Sequence, residues 1–196
     1  MKTVALLSSG IDSPVAIYLM LRKGMEVTPI HFRQSPKKES KVFELCEVLG
    51  RYGRLNEPVI VDAYEEQALV FSKLAEIGKA KWTCLFCKWT MLRKACRIGH
   101  EIGAKAIITG DSLGQVASQT LDNLLIISTA SDLPILRPLI GMDKEEIVRI
   151  AKEIGTFGIS IGPEEPCPFV PRHPVVRGSP GEFLRIKGRL VKEGVL

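Results

Sequence analysis

The sequence predicts an α/β fold in which a doubly wound, mostly parallel sheet of about five strands carries helices on both faces. Short apolar runs rich in Val and Ile alternate with segments whose apolar residues recur at helical spacing, the pattern of a parallel sheet covered by helices. Each run is bounded by Gly, Pro or charged residues, as buried strands usually are. The predicted strands are Thr3 to Leu7, Val27 to Phe32, Pro58 to Asp62, Ala106 to Thr109 and Ile135 to Leu139.

Start and stop signals mark two of the helices between these strands. Ser13 followed by Pro14 is typical of an N-cap and the first helical position, and Gly24 suits a left-handed C-terminal cap. Asp143 with Glu146 resembles a capping box and precedes isoleucines at helical spacing. We therefore predict a helix from Ser13 to Gly24 and another beginning at Asp143.

Three further segments complete the predicted organisation. Tyr64 to Lys81 is predicted to be an additional helix, and Gly158 to Pro180 is predicted to be an ordered loop because it is rich in Gly and Pro. Ser179-Pro180 is predicted to begin a basic C-terminal helix. The sequence shows no internal repeat and no clear linker. We expect one domain over residues 1–196, with a C-terminal loop and helix over 156–196.

The composition indicates a globular chain with polyanionic partners. Of 196 residues 45% are hydrophobic, and 27 Lys and Arg against 22 Asp and Glu give a formal net charge of +5, which favours RNA or nucleotide phosphates. The longest apolar run, Leu124 to Ile127, is far below the ~20 residues that cross a bilayer. The apolar start is too short for a signal peptide. Five cysteines, an odd count, favour thiol or metal chemistry over disulfides, so we expect no membrane association and a cytoplasmic location.

A loop joins the first predicted strand to the first predicted helix, where parallel sheets bind phosphates through backbone N–H groups. Its sequence is Ser8-Ser9-Gly10-Ile11-Asp12-Ser13. Gly10 lets the backbone approach phosphates, and Asp12 can hold Mg²⁺ or orient the attacking group. The alternative is an ordinary Ser-capped turn. Because neither a Walker loop nor a dinucleotide site fits, the remaining class is the pyrophosphatase loop (PP-loop), Ser-Gly-Gly-x-Asp-Ser, from which this chain departs at Ser9.

Several other segments, together with this loop, closely resemble one family over most of the chain: the catalytic domain of tRNA 4-thiouridine synthetase, archaeal type. The stretch over 109–120 is the most specific, because packing does not dictate such a long string of polar and small residues at a sheet edge. The resemblance implies the adenine nucleotide α-hydrolase-like fold of PP-loop enzymes. The segments are Ser13-Pro14-Val15-Ala16, His31-Phe32, Met91-Leu92-Arg93, Thr109 to Thr120 and Leu136 to Lys144.

The resemblance implies an ATP site and a catalytic set at the matching positions. Phe32 is suited to stack on adenine, Lys88 to neutralise phosphate charge and Gln119 to hydrogen-bond the nucleotide. The alternatives are that Phe32 and the leucines belong to the core and that Lys88 is solvated. The implied catalytic residues are Asp12, Lys88 and Cys167. The implied ATP-binding residues are Leu6, Leu7, Ser8, Ser9, Gly10, Asp12, Ser13, His31, Phe32, Lys88, Arg93, Gly110 and Gln119.

The same resemblance implies an ATP-dependent, AMP-forming sulfurtransferase. A tRNA uridine carbonyl would attack the α-phosphate of ATP, pyrophosphate would leave, and sulfur would displace AMP to give 4-thiouridine. Family members usually carry an N-terminal THUMP-containing region, and some a C-terminal rhodanese domain. These 196 residues resemble neither, so we expect a separate RNA-binding protein to deliver tRNA. The expected sulfur source is a donor protein or sulfide, and a homodimer is compatible with this interpretation.

Three cysteines are candidates for handling sulfur. Cys84 and Cys87 form a Cys-x-x-Cys motif at the predicted start of a helix, whose dipole favours thiolates, and the third lies in Pro166-Cys167-Pro168. In one hypothesis the three bind a [4Fe-4S] or [3Fe-4S] cluster, as the resemblance to archaeal-type relatives implies. In the other, Cys167 carries a persulfide that a Cys-x-x-Cys thiol resolves. Both hypotheses require the three thiols to converge beside the α-phosphate.

Other interpretations stay open. A zinc ion could be held by the Cys-x-x-Cys pair with His173 or His100, and Cys46 and Cys96 are expected to be small buried hydrophobes. For the whole chain, the alternatives are adenylation followed by nitrogen transfer, which leaves the three cysteines unused, and an ATP-binding partner subunit with a structural metal.

Overall fold

The computed structural model describes residues 1–163, 167 and 169–196. Its sheet has five strands in the order β3-β2-β1-β4-β5, and every neighbouring pair is parallel. This order places the first strand at the centre and winds the chain outward in both directions, so the predicted doubly wound fold is confirmed. The strands are β1 (Lys2–Leu6), β2 (Glu26–Arg33), β3 (Val59–Asp62), β4 (Ile107–Ile108) and β5 (Ile135–Leu136).

Eight α-helices connect and cover the strands in the described residues, with short 3-10 helices at Gly50–Tyr52, Ala80–Trp82 and Ala117–Gln119. Within the same residues, no helix combines the length and the apolar character needed to cross a bilayer. The helices are α1 (Asp12–Leu21), α2 (Pro36–Leu49), α3 (Ala63–Glu76), α4 (Thr83–Glu101), α5 (Leu121–Ser128), α6 (Lys144–Glu153), α7 (Phe157–Ser160) and α8 (Pro180–Lys192).

The two faces of the sheet bury separate apolar clusters because successive strand residues point to opposite sides. Val4 and Ile107 lie in a cluster with residues of α3, α4, α5 and α8. Their neighbours Ala5 and Ile108 lie in a second cluster with residues of α1, α2 and α6. All four side chains are fully buried. The apolar runs noted in the sequence therefore serve both faces at once, which explains why they lack alternation.

The predicted start of α1 is wrong. The helix begins at Asp12, and the N-cap position is Ile11, which makes no side-chain capping bond. The Ser13 hydroxyl is instead hydrogen-bonded to Ser8, at the other end of the loop. Gly24 has φ of 77° as expected, although α1 ends three residues earlier, at Leu21.

Two other predicted helix starts are confirmed, and two predicted segment boundaries differ from the structure. Asp143 and Ser179 cap α6 and α8 as predicted, since each side chain accepts a hydrogen bond from a backbone N–H three residues on. The predicted helix over 64–81 is α3 followed by a 3-10 turn, because the chain reverses at Gly78, where φ is 68°. The loop predicted over 158–180 overlaps the short helix α7.

The helix α2 was not predicted. Its start has the same signal as α8, with Ser35 as N-cap and Pro36 in the first turn. The strands β4 and β5 are shorter than predicted because their ladders are limited to the pairs Ile107–Ile135 and Ile108–Leu136.

The helix α8 is fixed to the rest of the fold by an aromatic cluster. The ring of Phe183 stacks on Phe86 with centroids 4.7 Å apart and lies 5.9 Å from Trp89 and 6.5 Å from Trp82. Phe183 is 1% exposed. Because three of these rings belong to α4 or the turn before it, α8 holds the helix that carries the Cys-x-x-Cys motif.

Replacing Phe183 by Ala should therefore lower the free energy of unfolding by about 3–5 kcal/mol, the range for removing a buried aromatic ring. Urea denaturation followed by circular dichroism measures the change. The matched control is Leu184→Ala on the same helix, because Leu184 is 59% exposed and its loss should change stability by less than about 0.5 kcal/mol. Equal losses in both variants would show that α8 is not anchored through Phe183.

Candidate functional site

A cavity of about 400 Å³ opens at the carboxyl ends of β1 and β4, the edge at which open parallel sheets bind ligands. One wall is the loop after β1 and another is the start of α4. The segment that follows β4 also lines the cavity, as do residues of other elements, among them Gln34, Phe71, Cys167, Phe169 and Val170. The lining includes twelve residues predicted for the site, namely Leu6, Leu7, Ser8, Gly10, Asp12, Ser13, Cys84, Cys87, Lys88, Gly110, Gln119 and Cys167.

Hydrogen bonds between its two ends close the loop after β1 into a fixed ring. The Ser13 hydroxyl accepts from the Ser8 backbone N–H at 2.9 Å and lies 3.0 Å from the Ser8 hydroxyl. The Gly10 N–H donates to the Ser8 hydroxyl at 3.3 Å. The loop therefore holds its shape without a ligand, and Ser8 and Ser13, which the resemblance implies to be ATP-binding residues, are hydrogen-bonded to each other.

Position 110 must be glycine because the backbone of the loop packs directly against it. A Cβ at this position would lie 2.7 Å from the Ser13 backbone nitrogen and 2.8 Å from the Ser13 Cα. Backbone atoms cannot yield to such a contact as a flexible side chain can, so any side chain here would displace the loop. Gly110, which the resemblance implies to be an ATP-binding residue, lines the cavity, and the group that it approaches closely in the structure is the loop itself.

A buried carboxylate organises the cations of the site. Asp111 is 7% exposed and accepts hydrogen bonds from Lys88 Nζ at 3.0 Å, Arg137 Nε at 3.3 Å and the Thr109 hydroxyl at 2.8 Å. Burial favours the neutral form, but the charge and hydrogen bond of Lys88, with help from Thr109 and Arg137, hold the pKa of Asp111 below its ordinary value. Asp111 is thus an anion that fixes Lys88 in the cavity wall.

Asp111 and Arg137 had no predicted role. Both lie in segments that carried the family resemblance, and Asp111 follows Gly110, three residues beyond the end of the strand β4. A polar residue just beyond the carboxyl end of a strand was the available signal. The pairing with Lys88 could not be found from the sequence, because the two residues are 23 positions apart and meet only in the folded chain.

Asp12 forms an ion pair with Lys144, the first residue of α6. Both side chains reach solvent, with 25% of Asp12 and 47% of Lys144 exposed. Lys144 had no predicted role, although it ends a segment that resembles the family. The carboxylate of Asp12 is an oxygen donor at the cavity wall, a group that suits Mg²⁺.

All three predicted cysteines line this cavity, so the structure brings them together beside the loop and Lys88. Cys84 lies in the first turn of α4 and Cys87 in the second. Burial raises the pKa of Cys84 and raises the pKa of Cys87 to about 12. The predicted thiolate character at this helix start is therefore wrong for the protein without a metal, since desolvation outweighs the helix dipole.

Amide N–H groups point at two of the sulfurs. Gln67, which is 2% exposed, places Nε2 3.4 Å from Cys87 Sγ and 3.0 Å from the Cys87 carbonyl oxygen. Gln34 Nε2 lies 4.0 Å from Cys167 Sγ. Donors of this kind support metal-bound thiolates, so the donor chemistry fits a thiolate-ligated cluster. A single shared ion requires ligand atoms within about 4.8 Å of one another. The sulfurs of Cys84, Cys87 and Cys167, all of which the structure describes, do not meet this spacing as a group of three.

The zinc alternative has no support from the histidines. His100 Nε2 contacts Asp132 at 2.8 Å, and at 1.5 Å of rise per residue it lies roughly 24 Å along α4 from Cys84. His173 does not line the cavity. Pro166 and Pro168, which the sequence analysis placed around Cys167, lie outside the described residues.

Four predicted ATP-binding residues do not line the cavity: Ser9, His31, Phe32 and Arg93. Phe32 is 5% exposed and packs in the core, so its ring has no open face for adenine. Burial lowers the pKa of His31, whose Nδ1 lies 2.9 Å from the Leu7 carbonyl oxygen beneath the loop. Arg93 is exposed, and its guanidinium lies over the Trp89 ring at 5.5 Å.

Comparison with known proteins identifies the family. The family model described as "Thiamine biosynthesis protein (ThiI)" matches residues 1–191. A "Probable tRNA sulfurtransferase" of Thermococcus kodakarensis is 54% identical over 187 residues, which cover 94% of this chain and 49% of the relative. One of Methanocaldococcus jannaschii is 45% identical, covering 96% and 50%. The chain thus spans about half the length of these curated relatives.

Solved structures agree with the sequence relatives. A 4-thiouridine synthetase in complex with RNA and bound ATP superposes with a TM-score of 0.90 at 37% identity, covering 99% of this chain and 51% of that one. A U34-tRNA thiolase from Methanococcus maripaludis has a TM-score of 0.56 at 16% identity, covering 98% and 67%, and shares the fold. The match over residues 1–191 and these identities show that the chain belongs to the ThiI family, with the fold of PP-loop enzymes.

Proposed function

We propose that this chain is the ATP-using part of a tRNA sulfurtransferase, which adenylates a uridine carbonyl and exposes the activated carbon to sulfur. One observation carries the proposal: the phosphate loop, Lys88 and the three cysteines line one cavity. The names of the relatives, probable tRNA sulfurtransferases and an ATP-bound 4-thiouridine synthetase, support the same activity.

ATP would occupy the cavity with its phosphates on the loop at residues 8–13. Backbone N–H groups at the start of α1 and the Lys88 ammonium supply positive charge there. The amide of Gln119 is a candidate for the adenine, because this side chain is 6% exposed, lines the cavity and leaves its Oε1 without a partner among the described residues. Leu6 and Leu7 supply the apolar wall that a base requires.

Asp12 would hold Mg²⁺ with the phosphates, and the ion would neutralise their charge. In the structure the Asp12 carboxylate is paired with Lys144. When a nucleotide binds, its phosphates would lie near the Asp12 carboxylate, so Lys144 could form an ion pair with the phosphates as well as with Asp12. We therefore assign Lys144 to the pyrophosphate, where an ammonium stabilises the leaving group.

The reaction would take place in two displacements. The uridine carbonyl oxygen bonds to the α-phosphorus while the bond to the bridging oxygen breaks, and pyrophosphate leaves. Sulfur then bonds to the activated carbon, and AMP departs with the former carbonyl oxygen. Lys88, held by Asp111 at 3.0 Å, is positioned to stabilise charge in the first displacement without reorganising.

Cys84, Cys87 and Cys167 would hold a [4Fe-4S] or [3Fe-4S] cluster as the sulfur-handling group. A [4Fe-4S] cluster held by these three thiolates would leave its fourth iron without a protein ligand and able to carry sulfide, whereas a [3Fe-4S] cluster would have no such iron. Gln67 and Gln34 would donate hydrogen bonds to the bound sulfurs. In the persulfide alternative, the terminal sulfur on Cys167 is transferred, and a Cys-x-x-Cys thiol and an external thiol reductant complete the cycle.

The names of the relatives and the net charge support tRNA as a partner. We propose tRNA as the acceptor, held through the excess of basic residues, which gives a net charge of +5. The further proposed partners are a separate RNA-binding protein, a sulfur donor protein or sulfide, and a second copy of the chain. The cytoplasm is the proposed location.

Nucleotide binding should depend on Gly110. In Gly110→Ala the new methyl group would meet the Ser13 backbone and displace the loop, so the affinity for a non-hydrolysable ATP analogue should fall about tenfold or more, as expected for a misplaced phosphate site. Calorimetry measures the affinity. The matched control is Gly141→Ala, whose methyl group meets nothing within 4 Å. Unchanged binding in Gly110→Ala would remove the nucleotide from this loop.

Activation and sulfur transfer should separate in Cys167→Ser. This variant should keep tRNA-stimulated pyrophosphate release but lose more than about 99% of thiouridine formation, because the thiol acts only after adenylation. Lys88→Ala should lose both activities. Both products are measured in one anaerobic assay with sulfide.

Cys46→Ser is the control, because Cys46 does not line the cavity, and it should keep both activities. Full thiouridine formation by Cys167→Ser would contradict the assignment of sulfur handling to this cavity.

A further inference from the structure

A second group of metal-binding side chains lies near the other end of α4. Cys96 and His100 are four residues apart on this helix, a spacing that places both on one face. Asp132, in the segment between α5 and β5, faces them. Neither the proposed reaction nor the nucleotide cavity uses these three residues, and none of them lines the cavity.

The three side chains already converge on one point. Cys96 Sγ lies 3.0 Å from Asp132 Oδ1, and His100 Nε2 lies 2.8 Å from the same oxygen. The three ligand atoms all lie within 4.8 Å of one another. In the described part of the chain, no other three His, Cys, Asp or Glu side chains meet this spacing. Cys96 is 7% exposed, whereas His100 and Asp132 are exposed. The site is therefore closed on the protein side and open to solvent on the other.

The backbone around the group is held in place. Leu133 packs against α4 at Gly99, where an added Cβ would lie 2.9 Å from Leu133 Cδ1. The Ser131 hydroxyl donates to the Leu133 carbonyl oxygen and accepts from the Leu133 N–H, both at 3.0 Å. The segment that carries Asp132 is thus tied to itself on one side and to α4 on the other. Asp132 has little freedom to leave Cys96 and His100.

We propose that Cys96, His100 and Asp132 bind one divalent transition-metal ion of the zinc class. Thiolate, imidazole and carboxylate are the three ligand types that Zn²⁺ takes in proteins, and three protein ligands with an open side leave room for water in the fourth position. The ion replaces the thiol proton of Cys96, which passes to solvent, and the imidazole nitrogen binds in its neutral form. The bound ion cross-links the end of α4 to the segment before β5.

This site is separate from the cysteines of the cavity. Cys96 follows Cys84 by twelve residues on the same helix, which at 1.5 Å per residue places them roughly 18 Å apart. A metal ion at Cys96 therefore stabilises the scaffold and takes no part in sulfur transfer. The proposal stands whether or not the chain proves to be a sulfurtransferase.

Cobalt is the probe, because Co²⁺ bound to thiolate gives charge-transfer and tetrahedral ligand-field absorption that Zn²⁺ lacks. The starting protein is the full chain with Cys84, Cys87 and Cys167 replaced by Ser, so that the cavity thiols cannot contribute. We expect one Co²⁺ per chain with a thiolate band that Zn²⁺ abolishes on addition. Zn²⁺ should also raise the Tm, since an ion that binds only the folded chain stabilises it.

Single substitutions in the starting protein identify the ligands. Cys96→Ser should abolish the thiolate band, and His100→Ala and Asp132→Asn should each weaken Co²⁺ binding at least about tenfold, as loss of a ligand does. Cys46→Ser is the control and should leave the spectrum unchanged. Circular dichroism checks that each variant is folded. His100→Ala removes an exposed side chain and keeps the test valid where Cys96→Ser does not fold.

The wild-type chain gives a second measurement. There, His100→Ala should lower the Co²⁺ bound at Cys96 and Asp132 and leave unchanged the Co²⁺ absorption that depends on Cys84, Cys87 and Cys167. Absence of a thiolate band in the folded starting protein, or a band that survives Cys96→Ser, would overturn the proposal. The three side chains would then form only a hydrogen-bonded contact between α4 and the segment before β5.

Discussion

The site depends on the contact between two backbones at Gly110. The segment that leaves β4 lies against the loop that leaves β1, and the lack of a side chain at Gly110 lets the two approach as closely as they do. The loop is a ring closed by the serines at its ends, so the contact joins two rigid parts. The next residue along, Asp111, is thereby placed beside Lys88. The position of the main cation thus follows from the close packing of two turns at one edge of the sheet.

Asp12 and Asp111 are each paired with at least one cation before any nucleotide enters. Asp111 is buried and ionised because Lys88 and Arg137 face it, and Asp12 is paired with Lys144. Two of these cations, Lys88 and Lys144, are partly exposed and can face an incoming polyphosphate. Cys84 and Cys87 behave in the opposite way, since burial raises the pKa of both thiols and favours their protonated form until a metal replaces the proton. In the proposed function, the cations that bind phosphate are therefore already in place, whereas the thiols of Cys84 and Cys87 must first lose their protons to a metal.

The sequence predicted the sheet and the loop well because both depend on local patterns. Apolar runs located all five strands, and the segment after the first strand is the loop that lines the cavity. Contacts between distant residues were missed. The Ser13 hydroxyl bonds across the loop instead of capping α1, and the partner of Lys88 lies on another element. The burial of Phe32 also depends on distant residues, because helices that are far away in the sequence pack over its ring.

The central claim, that nucleotide activation and sulfur handling share one cavity, is tested most directly by a crystal structure of the chain with a non-hydrolysable ATP analogue and Mg²⁺. The claim predicts the phosphates on the loop at residues 8–13, within hydrogen-bond distance of Lys88, and the α-phosphate facing the cysteines. The Lys88–Asp111 contact should persist, since Asp111 holds the cation in place. A nucleotide bound outside the cavity, or one whose α-phosphate faces away from Cys84 and Cys167, would contradict the claim.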